Sequence, residues 1–197
     1  MRPAVGVLCA HAWEASGRSR ATARIIWLNG AFGSGKSTTA NELVELVLGA
    51  RTFDPEIVGF MLRHCISEPV PDFQDWPAWR ALVPDVADQM LKHYGGVLVA
   101  PMAVMRRDYL AEILDGLSYR GIEHHHVLLD VSQDELVRRI ETDAIETGAR
   151  QLRLDHVESY RENRSWLRSL SRVVDTTAMD ASAAASQIAG RFTATTE

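Results

Sequence analysis

The sequence predicts an α/β fold, a three-layer domain in which helices cover both faces of a parallel, five-stranded sheet. Three observations carry this. Short runs of β-branched and aromatic residues alternate with longer segments whose apolar residues recur at helical spacing. Most connections between the runs are long enough to carry the chain back across a sheet, as parallel pairing requires. At 197 residues with 46% hydrophobic content, the chain can bury one core with layers on both sides.

The elements follow in order. After a polar stretch from Glu14 to Thr22, Arg24 to Asn29 reads as a buried strand. A glycine-rich turn leads to a helix from Lys36 to Leu48, with Ala40, Leu43, Val44 and Val47 at helical spacing and Gly49 as its stop. Arg51 to Asp54 is a weak second strand. Glu56 to Cys65 and Trp76 to Tyr94 read as helices, separated by Pro69, Pro71 and Pro77. A clear strand runs from Gly96 to Ala100, a helix from Arg106 to Tyr119, a strand from His124 to Asp130 and a helix from Gln133 to Glu146. Beyond Gly148, a charged segment through Arg164 leads to the last strand, Val173 to Asp175, and an alanine-rich helix. No repeat or low-complexity linker divides the chain, so residues 1–22 form an N-terminal extension and 23–197 one domain.

Composition excludes some partners. The net charge of -5 lacks the basic excess that neutralises phosphates along a nucleic acid. Cys9 and Cys65 lie in unrelated contexts and make neither a disulfide framework nor zinc-ligand spacing, which fits a reducing compartment. Pro3 to Trp13 is apolar, but Pro3, Gly6 and His11 interrupt it, and no run approaches the roughly 18 residues that cross a bilayer. The expectation is a cytoplasmic monomer or homodimer without stable membrane insertion.

Gly30-Ala31-Phe32-Gly33-Ser34-Gly35-Lys36-Ser37 matches the Walker A pattern in full, directly after a strand and before a helix. Glycines let successive amides curl inward around phosphate oxygens, and the helix start adds its positive dipole end. ATP is the expected cofactor, held by residues 30–38 with Thr38 closing the loop. Lys36 is expected to bridge the β- and γ-phosphates and the Ser37 hydroxyl to ligate Mg²⁺.

The class of such a protein depends on its acids and cations. The strand Gly96–Ala100 ends in Pro101-Met102 without the carboxylate that motor ATPases place there, and the Asn-Lys-x-Asp pattern of GTPases is missing. Small kinases instead take a carboxylate from the end of the second strand, where Asp54 stands. It would accept the acceptor's proton or orient the metal; the same residue, with Pro55 behind it, also reads as a helix cap. Thr147 to Arg153 occupies the place of a lid, and Arg150 and Arg153 are its candidate cations, with Arg138 and Arg139 at the base.

Ile25 to Lys36, Phe53-Asp54-Pro55-Glu56, Gly59-Phe60, Leu62-Arg63, Asp72-Phe73-Gln74, Trp79-Arg80 and Pro101-Met102 together resemble the tunicamycin-resistance ATP-binding proteins, relatives of the P-loop antibiotic and metabolite kinases. The resemblance implies a nucleoside-kinase-like fold, ATP and Mg²⁺ binding and protection against tunicamycin, a uridine-like sugar antibiotic with a fatty acyl tail. The chain departs from the family by its longer N-terminal segment and by ending at Glu197 without an amphipathic extension. Between the second and third strands, Phe60, Phe73, Trp76 and Trp79 offer apolar surface to a small-molecule acceptor, and Arg63 and Arg80, which the resemblance singles out, offer polar handles. Met102 is read with them. Each aromatic also suits ordinary core packing. His124-His125-His126 alternates across a strand, which leaves at most two rings on one face and favours packing over a metal site.

The expected function is ATP-dependent phosphoryl transfer to a hydroxyl of tunicamycin or a similar nucleoside-like antibiotic. The alternatives are ATP-dependent sequestration of the drug without transfer, and a housekeeping small-molecule kinase.

Overall fold

Ile25 and Trp27 leave one side of the first strand and Ile26 and Leu28 the other, and all four are fully buried. A strand buried on both faces belongs at the centre of a covered sheet. In the computed structural model, which describes residues 23–144, 148 and 150–192, this strand, β1 (Arg24–Asn29), lies between β3 (Val97–Pro101) and β4 (Glu123–Asp130). The edges are β2 (Ala50–Thr52) and β5 (Arg172–Asp175), giving a five-stranded parallel sheet of order β2-β3-β1-β4-β5. The extension 1–22 and the lid positions Thr147 and Ala149 lie outside the described residues.

Helices α1 (Lys36–Leu46) and α7 (Ala181–Ala189) cover one face, where Leu43, Ala184 and Ile188 meet Ile26 and Leu28. On the other face α3 (Pro77–Tyr94) and α4 (Arg107–Tyr119) bring Val83, Ala87, Leu110 and Ile113 onto Ile25 and Trp27. Helices α5 (Gln133–Thr142) and α6 (Arg150–Leu170) pack Leu136, Ile140, Val157 and Leu167 over Leu128 of β4. Each fully buried side chain of this size contributes about 1.5–3 kcal/mol of transfer free energy. No helix among the described residues is long and apolar enough to cross a membrane.

Two sequence expectations need correction, and a segment that the sequence left without an element gains one. The second strand covers 50–52 rather than 51–54: Phe53 turns into the core while its amide still bonds Val99 O at 2.9 Å, and Asp54 already caps α2 (Pro55–Cys65). Helix α5 closes at Thr142 rather than Glu146, because Asp143 is extended (φ -67°, ψ 114°). The charged segment after Gly148 is a helix of 21 residues, α6, whose buried face includes Arg153 and Tyr160 and so hides its amphipathic stripe.

Candidate active site

The loop between β1 and α1 rests on left-handed backbone that only glycine adopts cheaply. Gly33 and Gly35 have φ of 84° and 90°. Space makes the same demand at Gly30, where an added Cβ would stand 2.7 Å from both Leu129 O and Ser34 Oγ. Lys36 Nζ donates to the carbonyls of Gly30 and Ala31 at 3.0 and 2.8 Å and lies 5.5 Å from the centroid of the Phe32 ring. Ser34 Oγ is buried without a hydrogen-bond partner among the described residues. Ser37 and Thr38 are exposed in the first turn of α1.

Asn29 braces the start of this loop. Its Oδ1 accepts from the amides of Gly30 (2.8 Å) and Val104 (3.1 Å), and its Nδ2 donates to Val104 O (3.0 Å). The same Nδ2 lies 3.3 Å from His126 Nε2, and His126 Nδ1 lies 3.2 Å from Leu170 O. A neutral ring protonated on Nδ1 satisfies both contacts. Burial pushes the His126 pKa down and keeps it in that form. His126 thus ties β4 to the loop rather than standing ready for a ligand.

On the far side of the loop, α6 brings Arg153 over the glycines: its Nη2 would lie 3.4 Å from a Cβ on Gly33. Arg153 is buried and its Nη1 bonds Asp143 Oδ2 at 2.7 Å, while Arg150 is exposed at the first turn of α6. Further along, α6 is gripped by Asp130 at the end of β4. This fully buried carboxylate accepts from Tyr160 Oη (2.5 Å), from Arg164 Nε and Nη2 (2.7 and 2.8 Å) and from Arg168. Its backbone oxygen accepts the Thr176 amide at 2.7 Å.

A cleft of about 550 Å³ opens beside the loop, between Gly33–Gly35, α5 and the segment Thr176–Ala181. Glu135 on its wall is held down to about 2 by the bonds from Arg138 and then Arg139. Arg139 also reaches Thr176 O at 2.5 Å, which joins the two walls.

The opposite side carries the acceptor candidates. Asp54 Oδ1 caps α2 by accepting the Glu56 amide at 2.9 Å, and Oδ2 carries no bond among the described residues. Gly59 is needed because the Phe73 ring lies on it; an added Cβ would stand 2.5 Å from Phe73 Cγ. Phe60 is half exposed, and Arg63 lies 5.9 Å from the Phe73 ring centroid. Trp79 and Met102 belong to the core: Trp79 Nε1 donates to Pro55 O at 3.0 Å, and the Met102 carbonyl accepts from Trp27 Nε1 at 3.1 Å. Trp76 is buried with its Nε1 unpartnered among the described residues. Arg80 is buried and committed to the wall, bonded to Glu112 (2.6 Å) and Gln74 O (2.5 Å) and stacked 4.0 Å from the Tyr109 ring centroid. Gln74 Nε2 in turn donates to Ala103 O at 3.1 Å, next to the Val104 held by Asn29.

The structure therefore brings Lys36, Arg153 and the glycines together, and it groups Phe60, Arg63 and Phe73 on α2 and the turn Phe73–Asp75. Sequence reasoning missed Asn29, Asp130, Glu135 and Thr176–Ala181. Two signals were available: an acid closing the apolar run of β4, and Tyr160, Arg164 and Arg168 spaced by fours on one helix face.

No family model and no curated protein matches the chain. Solved structures do. The chain is similar to the tunicamycin resistance protein of Deinococcus radiodurans, with 27% identity and a TM-score of 0.67 over 86% of this chain and 95% of that one. A gluconokinase from Sinorhizobium meliloti 1021 matches with 18% identity and a TM-score of 0.54, over 91% of this chain and all (100%) of that one. Shikimate kinase from Acinetobacter baumannii, solved in complex with shikimate, matches with 16% identity and a TM-score of 0.55, over 87% and 94%. The fold is that of P-loop small-molecule kinases, and the resemblance drawn from the sequence extends to a solved tunicamycin resistance protein.

Proposed function

We propose, with the likeness to the tunicamycin resistance protein as premise, that the chain is an enzyme that moves the γ-phosphate of ATP onto a hydroxyl of tunicamycin or a similar nucleoside-like antibiotic. The observation that carries this is the pair of cations on either side of the glycine loop, Lys36 from α1 and Arg153 from α6. Phosphoryl transfer needs charge neutralised from both sides and water kept out. A triphosphate in the loop would draw Lys36 from the Gly30 and Ala31 carbonyls and give the orphaned Ser34 hydroxyl a partner. The cleft along Glu135 and Thr176–Ala181 would take the nucleoside end.

Ser37 suits Mg²⁺, since it lies exposed at the first turn of α1 and its hydroxyl has no partner among the described residues. When bound, the ion would neutralise the β- and γ-phosphates. The unbonded Oδ2 of Asp54 would receive the acceptor's proton, with Oδ1 fixed by its cap bond. Phe60, Arg63 and Phe73 would form the acceptor's surface, supported from behind by Trp76, Trp79, Arg80 and Met102. Arg150, at the exposed start of α6, would join Arg153 on closure. Use of ATP would fit a cytoplasmic enzyme.

The test is direct. Protein, ATP, Mg²⁺ and tunicamycin are incubated and the antibiotic is weighed by mass spectrometry; one added phosphate is expected. Unmodified antibiotic with ATP bound would refute transfer. Asp54→Asn separates transfer from sequestration: it should abolish protection in cells while ATP affinity persists, whereas a sequestering protein would keep protecting.

A further inference from the structure

Helix α3 sends Val83, Ala87 and Leu91 into the core and carries two rows of residues on another side, Asp85-Gln89-His93 and Val86-Met90-Tyr94. Between the rows lies a groove of about 380 Å³, and every described residue that lines it belongs to α3. Rows four residues apart are the ridges by which helices pack, and the groove between two of them receives an apolar ridge from another segment. Val86 and Met90 are partly buried against the core, and Tyr94 is 46% exposed. The polar ends are already tied: Asp85 Oδ1 accepts from Arg120 Nη2 at 2.6 Å, and the Arg51 guanidinium lies 4.4 Å from the Tyr94 ring centroid.

Ala23, the first described residue, emerges beside the end of this helix. Its carbonyl accepts the Glu123 amide at 3.1 Å, and the Arg24 amide reaches Gly96 O at 3.4 Å, two residues past Tyr94. Ala23 packs on the same core as Val86 and Met90. The sequence ahead of it suits the groove in chemistry and in reach. Residues 3–13 are apolar, and Val5, Leu8, Cys9, Ala12 and Trp13 recur at the three- and four-residue steps of one apolar ridge. Residues 14–22 are a polar connector that spans up to about 30 Å, at roughly 3.3 Å per residue. The groove from Asp85 to Tyr94 runs only about 14 Å along the helix axis, so the connector reaches either end of it. A tethered segment meets the groove at an effective concentration in the millimolar range, which a free partner or a second copy rarely matches.

We propose that the groove on α3 is the seat of residues 3–13 of the same chain, an intramolecular docking surface that covers Val86, Met90 and Tyr94. It stands at the end of the sheet where β1 begins, whereas the glycine loop follows the other end of β1. The inference is therefore independent of the nucleotide reading above.

The experiment uses the full chain with Cys65→Ser, which leaves Cys9 as the native thiol. A second thiol is introduced by Gln89→Cys, in the middle of the groove as Cys9 is in the middle of the segment, so the two meet whichever way the segment runs. The control is Tyr119→Cys, 90% exposed at the end of α4 and close to the same exit point through Glu123. All three replaced positions are exposed, so the fold accommodates them. After mild oxidation, peptide mapping follows the disulfide to Cys9. Within one copy it should form about tenfold faster with Gln89→Cys than with Tyr119→Cys, a ratio that burial of a single apolar side chain supplies. Adding Leu8→Asp and Trp13→Asp should erase the difference. Equal rates at the two positions, a difference that survives both aspartates, or a disulfide that joins two copies would each overturn the proposal.

Discussion

Replacing Asp130 by asparagine tests whether charge fixes α6 to the sheet. The carboxylate is fully buried and receives Tyr160, Arg164 and Arg168. Asparagine keeps an oxygen for Tyr160 but loses the charge and turns an amide group toward guanidinium donors. Hydrogen bonds to a charged group contribute about 1.5–3 kcal/mol each. The two arginines are 43% and 46% exposed, however, and water can recover part of their solvation. A net loss of about 2–3 kcal/mol follows, which for a chain of this size lowers Tm by about 5–10 °C. The pH dependence has a definite sign. Burial works to raise the Asp130 pKa, but the bonds from Arg164 and Tyr160 outweigh it, and the group titrates below its usual 3.8. The unfolded chain therefore takes up this proton first as pH falls, so the contribution is complete above about pH 4 and lost through the lower folded value. Urea unfolding followed by tryptophan fluorescence should show a gap between wild type and Asp130→Asn at pH 7 that narrows near pH 3. Equal midpoints at pH 7, or a gap that does not narrow in acid, would refute the reasoning.

Other perturbations address the loop and its supports. Gly33→Ala forces a side chain onto φ of 84° and to within 3.0 Å of Ile140 Cγ1; the fold should survive by circular dichroism while ATP affinity drops at least about tenfold. Asn29→Ala strands the Gly30 amide and both polar groups of Val104, and chemical denaturation should register a loss of about 3 kcal/mol; under 1 kcal/mol would mean that water replaces the amide. His126 has its pKa lowered from 6.5, so the unfolded chain binds its proton first, and stability should fall as pH drops below 6.5; His126→Gln should lack that slope, and parallel profiles would count against it. Arg153→Ala should reduce turnover about a hundredfold with a smaller effect on ATP affinity, as expected of a cation that acts on the developing charge.

The glycine loop was legible because its glycines, lysine and serine match the Walker A spacing in full and are flanked by an apolar strand and a helix. Asp54 was legible as a cap, since the Asp-Pro pair declares a helix start whatever else the carboxylate does. Helix α6 was not, because its inner face mixes Arg153 and Tyr160 with Val157 and Leu167, and polar residues facing inward erase the apolar period. The same blindness hid Asp130: an acid at a strand end looks solvated until the arginines that cover it are located on a distant helix. Among the aromatics, sequence pattern alone did not separate Phe60, half exposed, from Trp79, fully enclosed, since both belong to one run of mixed polarity.

Helix α6 is held at two places along its inner face: Asp130 grips its later turns, and near its start Arg153 bonds Asp143 while Val157 packs over Leu128. Tyr160, Arg164 and Arg168 are pinned to β4, and the turns before them project toward the glycine loop with Arg153 near the tip. From Tyr160 to Arg153 the overhang is about 10 Å, so a tilt of about 10° at the pinned part moves the tip by about 2 Å. A displacement of that size would have to break the 2.7 Å bond from Arg153 to Asp143 and slide Val157 out of the core it shares with Leu136 and Ile140, so the start of α6 and the end of α5 keep their places over the loop together.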